Sequence, residues 1–529
     1  MLRLNQIKLD ISHNEEDLLK AIADNLKVKQ SKVKSYKIIK KSVDARKDNV
    51  KYVYCIDAEV FDEDKILQRL HKKDIMKSEY KEYVLPMPGN EKSDKRIIIA
   101  GFGPAGIFCA YALALRGYKP VVIERGADVD TRKSIVNRFF TAGELNTECN
   151  VQFGEGGAGT FSDGKLNTLI KDKEGRGKFV LETFVKFGAN PEITYINKPH
   201  IGTDVLSDIV KNMRKEIINL GGEVRFNSKL SEIHSSNGHI EAVTVVCDGN
   251  KYDIETDTLV LAIGHSARDT FYMLKDENLN MESKAFAVGV RIEHNQKMIQ
   301  EYMYKSYADK LPAADYKVTY QAGNGRGVYS FCMCPGGYVV NASSEKEMLA
   351  INGMSYSKRD GINANSAMVV TVNPEDYGGS GPLSGVEFQR KLERLAYREC
   401  NGKVVVQLFD DYVNNRISKD FGSIMPQIKG EYGFGNINNI LPEFINVSLK
   451  EGIKACNQRI PGFAADDAVL SGVESRTSSP VRINRDELYE SNIKGIYPCG
   501  EGAGYAGGIT SAAIDGLKVA EKIIERRAV

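Results

Sequence analysis

Residues 2 to 11 alternate between apolar and polar positions, which predicts a strand, and Leu18, Leu19, Ile22 and Leu26 then recur at the spacing of one helical face. Two more alternating stretches follow, Val33 to Lys41 and Lys51 to Val60, the second placing Tyr52, Tyr54, Ile56, Ala58 and Val60 on one side. This pattern predicts a small ferredoxin-like α/β unit over residues 1–90. It ends in YVLPMPGNEKSD, where Pro86, Pro88 and Gly89 mark a linker. From Arg96 the period changes to strand, glycine turn, helix and strand. Further on, Asp204 to Leu220 reads as a helix, Glu223 to Ile233 as a strand, Met368 to Val372 as a strand and Val386 to Arg398 as a helix. The chain divides on this reading into 1–90, a Rossmann-like domain over 91–285, an inserted α+β substrate or cap domain over 286–463, and a return to the Rossmann-like domain over 464–529.

The most informative stretch is Ile97 to Ala100, a buried-strand run leading into Gly101-Phe102-Gly103-Pro104-Ala105-Gly106 and then a helix to Leu115. Each glycine has a task in binding a dinucleotide. Gly101 makes the tight turn, Gly103 lets backbone approach a pyrophosphate, and Gly106 lets the helix pack closely on the strand. Unpaired N–H groups and the positive dipole end at the helix start suit the phosphates. The next strand, Val121 to Ile123, ends on Glu124, followed by Arg125, and that acid stands where it can accept hydrogen bonds from a ribose. Gly154-Glu155-Gly156-Gly157-Ala158-Gly159 repeats the glycine spacing, but no good strand precedes it and no good helix follows, so it is read as a loop.

Two later stretches resemble parts of glutathione-reductase-like flavoproteins. Asp257 to His265 looks like the buried strand, ending in Gly264, that returns the chain to the cofactor domain, and Gly495 to Thr510 looks like the closing strand and turn. The resemblance implies FAD. It gives Gly500 and Glu501 a place beside the ribityl chain, Gly508 and Ile509 a helix start facing the flavin pyrimidine, and Leu230 a backbone contact with adenine. Gly159, Thr160 and Lys165 would pass over the pyrophosphate and ring. FGEGGAGTFSDGKL from Phe153, KPHIGTD from Lys198, SFCMCPGG from Ser330 and ESRTSSPVRI from Glu474 further resemble a family of uncharacterised FAD-dependent dehydrogenases with an extra N-terminal α/β domain.

Four side chains are the main candidates for chemistry, with His200 and Cys332 beside them. Lys165 is placed near the ring. His265, with His200 as a weaker second, is a candidate acid or base. Cys334 and Cys332 stand two apart, so in a regular strand both sulfurs face one side as a redox couple or nucleophile. Arg476 has the planar fork that grips a carboxylate or phosphate, and a structural ion pair is the competing use. No Cys or His spacing suggests a metal site.

Composition narrows this picture. At 529 residues the chain needs several domains, its 72 basic and 70 acidic side chains nearly cancel, and nine cysteines without framework spacing fit reduced thiols. No run is long and apolar enough to span a bilayer, so the expected setting is cytoplasmic, with no membrane partner. Residues 1–90 carry about four more basic than acidic groups, which makes an RNA-associated flavoprotein the less favoured alternative. The leading expectation is a dehydrogenase or reductase acting on a small-molecule substrate. A flavin monooxygenase is its enzymatic rival, and with a single dinucleotide turn, NAD(P)H would visit only as a transient reductant. These patterns point to no particular oligomeric state.

Overall fold

A computed structural model describes residues 1–529 except 47, 80, 81 and 169. The N-terminal alternation folds as β1 (Leu2–Asp10), α1 (Glu15–Leu26), β2 (Val33–Asp44), β3 (Lys51–Val60), α2 (Glu63–Leu70) and β4 (Ile75–Lys77). The sheet order β2-β3-β1-β4, all antiparallel, is the ferredoxin-like arrangement. Its inward face, with Leu4, Ile7, Tyr54 and Ile56, packs on Leu18, Ile22 and Leu26. Helix α1 starts where Asn14 accepts from the Asp17 N–H while the Asp17 carboxylate accepts from the Asn14 N–H, which answers two otherwise unpaired donors.

The second domain opens with β5 (Ile98–Ala100), α3 (Pro104–Leu115), β6 (Val121–Ile123), α4 (Val129–Ala142), α5 (Thr203–Asn219), β7 (Glu223–Arg225) and β8 (Leu259–Leu261). Between β7 and β8 the chain makes an antiparallel meander, Ser228–Ser236, His239–Cys247 and Asn250–Glu255. Helix α3 is apolar around its whole circumference, with every residue from Ala105 to Ala114 buried, because it is enclosed on all sides.

The cap contributes β9 (Phe286–Asn295), β10 (Gly327–Cys334), β11 (Asn363–Val372), α6 (Ser384–Glu399), β12 (Val404–Leu408) and β13 (Val469–Glu474). Its seven-stranded sheet runs Thr319–Gln321, β10, β11, β9, β13, β12, Tyr432–Phe434. Strand β13 pairs antiparallel with both β9 and β12, so the cap sheet extends past the expected boundary at 463 to Glu474. All six of its residues are buried, and a short run of that kind carries no periodicity to say which sheet it joins. The chain then returns as β14 (Ile496–Pro498) and α7 (Ile509–Arg526), completing a parallel sheet in the order β14-β8-β5-β6-β7.

Cap and parallel-sheet domain are joined by buried charge. Glu393 on α6 takes the guanidinium of Arg268 at 2.7 Å and that of Arg476 at 2.7 Å, and Arg268 also meets Glu345 at 2.5 Å. Two cations hold the Glu393 carboxyl far below the usual carboxylate range against the opposing effect of burial. Among the described residues no helix is long and apolar enough to cross a membrane.

Candidate functional site

The carboxyl ends of the parallel strands open into one cavity of about 540 Å3, lined by Ala100 at the end of β5, Glu124 after β6, Ala262 after β8 and Cys499 after β14, with cap residues as its other wall. Ligands of doubly wound sheets sit at this edge because the strand order reverses there.

At its first end the glycine turn is set by close packing. A Cβ on Gly101, where φ is +103°, would lie 2.3 Å from the Ala262 carbonyl oxygen, and one on Gly106 would lie 2.0 Å from the Gly101 oxygen. Gly103 faces Gly157 backbone to backbone, leaving a bare surface at the start of α3, whose first turn has no side-chain cap. Glu124 is buried, and its carboxylate accepts from the N–H groups of Phe102 (2.8 Å), Gly126 (2.9 Å) and Gly154 (2.9 Å). Three of roughly four lone-pair positions are therefore used in bracing two loops, with one left for a ribose hydroxyl. Arg125 lines the cavity, lies over the Phe153 ring at 4.2 Å, and pairs with Glu148 and Asp269.

Arg132 on α4 was missed by sequence reasoning. It is fully buried and donates to the carbonyls of Asn150, Val151, Gly154, Glu155 and Gly157, so one guanidinium holds the glycine-rich loop in shape. Burial pulls its pKa down to about 10, with the guanidinium charged at neutral pH. The only sequence signal is an arginine on the otherwise apolar face with Val129, Val136 and Phe139.

At the closing end, Gly159 packs on Ile509, and Thr510 donates to the Leu166 carbonyl at 2.8 Å, tying the loop to the start of α7. Gly508 and Ile509 line the cavity, and α7 also begins without a side-chain cap, leaving its first N–H groups for a ligand. Asp515, also missed, accepts from the Gly500 N–H at 2.8 Å and pairs with Arg485 at 2.7 Å, fixing the turn that carries Glu501. Glu501 and His265, 236 residues apart in sequence, meet at 3.1 Å through His265 Nδ1, and both line the cavity beside Gly264 and Leu230.

Other predicted residues are placed differently. Phe102, Gly106 and Gly500 lie one layer behind the lining, where they shape it. Thr160 is buried and bonds the Glu155 carbonyl. Lys165 is in the wall, its ammonium held by the Met333 carbonyl of the cap and 3.8 Å from Asp163. The two cysteines do not share a face. Between Phe331 and Cys334 the ladder with β11 slips by one residue and Cys332 takes φ +41°, a bulge that turns Cys332 to the cavity and Cys334 inward. Burial pushes the Cys334 thiol up to about 11. Arg476 lines the cavity, but its fork is occupied by Glu393, Ser266 and Ser344. His200 pairs across a short bridge with Lys165, and burial together with the nearby Arg359 lowers its pKa to about 4, so it is neutral at pH 7.

Fold and cavity define a dinucleotide-binding protein with a fixed cap over the open edge of its sheet. Residues 285–477 match the family described as "FAD-dependent protein, C-terminal domain-like", and residues 1–59 match a domain of unknown function. An uncharacterised protein of Clostridium beijerinckii is 50% identical over 532 residues, 99% of either chain. The chain belongs to this family of uncharacterised FAD-dependent proteins. More distant similarities to solved structures include Escherichia coli quinol fumarate reductase FrdA, at 12% identity and TM-score 0.36 over 83% of this chain and 71% of that one. A glycerol-3-phosphate dehydrogenase of Bacillus halodurans complexed with FAD matches at 12% identity and TM-score 0.36, over 82% of this chain and 65% of that one.

The site residues fit FAD on their own terms. Two uncapped helix starts, a bare glycine surface between Gly103 and Gly157, and a buried carboxylate with one free lone-pair position are the donors and acceptors a dinucleotide needs.

Proposed function

We propose that this protein is an FAD-dependent dehydrogenase or reductase that moves hydride between a small-molecule substrate and the flavin. The observation that carries the reading is the continuity of the cavity, which runs from Glu124 past Gly508 and Ile509 to Lys165, Cys332 and Asn352 of the cap wall. Such a space has a cofactor slot at one part and room for a substrate at another. Bound FAD would supply two-electron chemistry. The protein holds the phosphates with the first turn of α3, orients the ribose with Glu124, and offers the first N–H groups of α7 to developing negative charge. His265, hydrogen-bonded to Glu501, and Lys165, held by the Met333 carbonyl, are the groups placed to hold or pass a proton.

One dinucleotide turn is present among the described residues, so a pyridine nucleotide is proposed only as a transient reductant. The RNA alternative is less supported: the named outward residues of β1 and β3, Arg3, Lys8, Val53, Cys55 and Asp57, carry no aromatic ring, and Arg3 and Asp57 are paired at 2.8 Å. The test is the visible spectrum of the purified chain, release of its chromophore, and anaerobic reduction. FAD near one per chain, reduced by a hydride donor and reoxidised by an acceptor, is the expected result. A chain that neither holds nor takes up FAD would end the proposal.

A further inference from the structure

Four segments close a ring around the cap end of the cavity. Lys165 faces His200 across a short antiparallel bridge, flanked by hydrogen bonds from Leu166 N–H to the Pro199 oxygen and from Ile201 N–H to the Gly164 oxygen, each 2.9 Å. Two residues before His200, Lys198 pairs with Asp315 of the cap at 2.5 Å. From Asp315 the chain passes Lys317 to Val318, whose N–H donates to Ser330 Oγ at 2.9 Å. Ser330 leads along β10 to Met333, whose carbonyl takes the Lys165 ammonium and completes the circuit. Lys165, Lys198, Asp315 and Lys317 all line the cavity.

The charges of this ring do not balance. It carries three ammonium groups and one carboxylate, and that carboxylate is already bound to Lys198. Asp163 also lines the cavity, but its charge is taken by Arg359 at 2.5 Å, closer than its 3.8 Å to Lys165. Lys317 has no hydrogen bond or ion pair among the described residues. The rest of the lining behaves differently, since Arg125 and Arg476 each have acid partners and Glu474 has Arg291 at 2.8 Å. None of these lysines belongs to the glycine turn or to the helix starts that suit the cofactor's phosphates. A partly enclosed cleft with surplus charge of one sign concentrates ligands of the other. Phe331, Tyr316 and Met333 add an apolar surface beside the lysines.

We infer that the substrate is a small molecule bearing an oxyanion, a carboxylate or phosphate, received between Lys165 and Lys317 with its less polar body against the cap wall. This inference rests on the flavoenzyme reading above and adds the class of substrate to it. Lys317 is then a specificity-determining residue, and Lys165 both positions the anion and links the flavin-side loop to the cap.

The test uses the full chain loaded with FAD, at low ionic strength, because screening weakens exposed charge pairs. Benzoate, inorganic phosphate and the neutral isostere benzamide are titrated against the flavin absorption band. A saturable shift with at least one of the two anions and none with benzamide is expected. Lys317→Met should weaken that binding about tenfold at unchanged flavin content, and Lys317→Arg should retain it. A response to benzamide equal to that for benzoate, or no response to either anion in a chain that holds FAD, overturns the inference and leaves the flavoprotein reading standing. A chain without flavin that cannot be reconstituted overturns both.

Discussion

At the dinucleotide end of the cavity the protein answers its own charges. Glu124 accepts three backbone N–H groups, Arg132 donates to five carbonyls, and Arg125 has two acid partners. At the cap end, Lys317 has no partner among the described residues, Lys165 meets a carbonyl and, at 3.8 Å, the Asp163 carboxylate, and Cys332 is held in a left-handed conformation on a bulge. The first end is built to hold one fixed ligand in one shape. The second leaves charge and polar surface to be completed by whatever enters. A cofactor retained through many turnovers and a substrate that must leave place these different demands on a site.

The largest effect expected on this contrast comes from the dinucleotide end. Arg132→Met would leave five loop carbonyls without their donor, costing about 3 kcal/mol or more, and should abolish flavin retention. Flavin-to-protein ratio and thermal midpoint read this directly, and a variant with wild-type flavin content would show that the loop is shaped by something else. Glu124→Ala comes next, removing the ribose acceptor and three backbone bonds. FAD affinity should fall about a hundredfold, roughly 2.7 kcal/mol, as measured by reconstitution of the apoprotein.

At the cap end the bulge makes a kinetic prediction. A maleimide should label Cys332 faster than Cys334, as followed by peptide mass spectrometry, because Cys332 is exposed at the cavity and Cys334 is buried. The thiols are raised to about 12 and about 11, so access and not thiolate fraction sets the order. Equal rates would mean that the strand is regular and the two thiols share a face.

The smallest effect concerns acid. His200, across the short bridge from Lys165, and His294 inside the cap are both lowered to about 4, first by burial. In the unfolded chain such groups titrate near 6.5, so the unfolded state takes up more protons as pH falls. The stability these residues give is whole above about 6.5 and is lost as pH drops towards 4. Glu293, raised by burial to about 7, works in the other direction, favouring the folded state below about 4.5 and losing that contribution as pH rises through 7. His200→Asn should therefore flatten the fall in thermal midpoint between pH 7 and 5, by about 1 kcal/mol after allowance for its partial exposure. An unchanged slope would remove His200 from the account.

Much of the fold was legible. The alternation of residues 2 to 60, the run before Gly101 and the helix patterns at Asp204 and Val386 all fall on elements of the type expected, because each has a strong local period. The dinucleotide motif was legible for a different reason, since glycines at 101 and 106 are demanded by contacts a Cβ could not make, while Gly103 keeps the backbone bare beside Gly157. Arg132 and Asp515 were not, because their partners, loop backbone groups and for Asp515 also the Arg485 guanidinium, lie in other segments, and a lone charged residue on a helix has no pattern to mark it. Cys334 was read from strand periodicity, and one extra residue in β10 reverses that inference.

By itself, then, the sequence determined the local periods, the glycine turn and the acid that follows it, features written over a few consecutive residues. Tertiary structure alone decided that β13 belongs to the cap, that Arg476 is bound to Glu393, that His265 meets Glu501, and that three lysines from separate segments ring one opening. Each of these depends on which groups meet across tens to hundreds of residues, and whether a charge is spent or left for a ligand depends on that meeting.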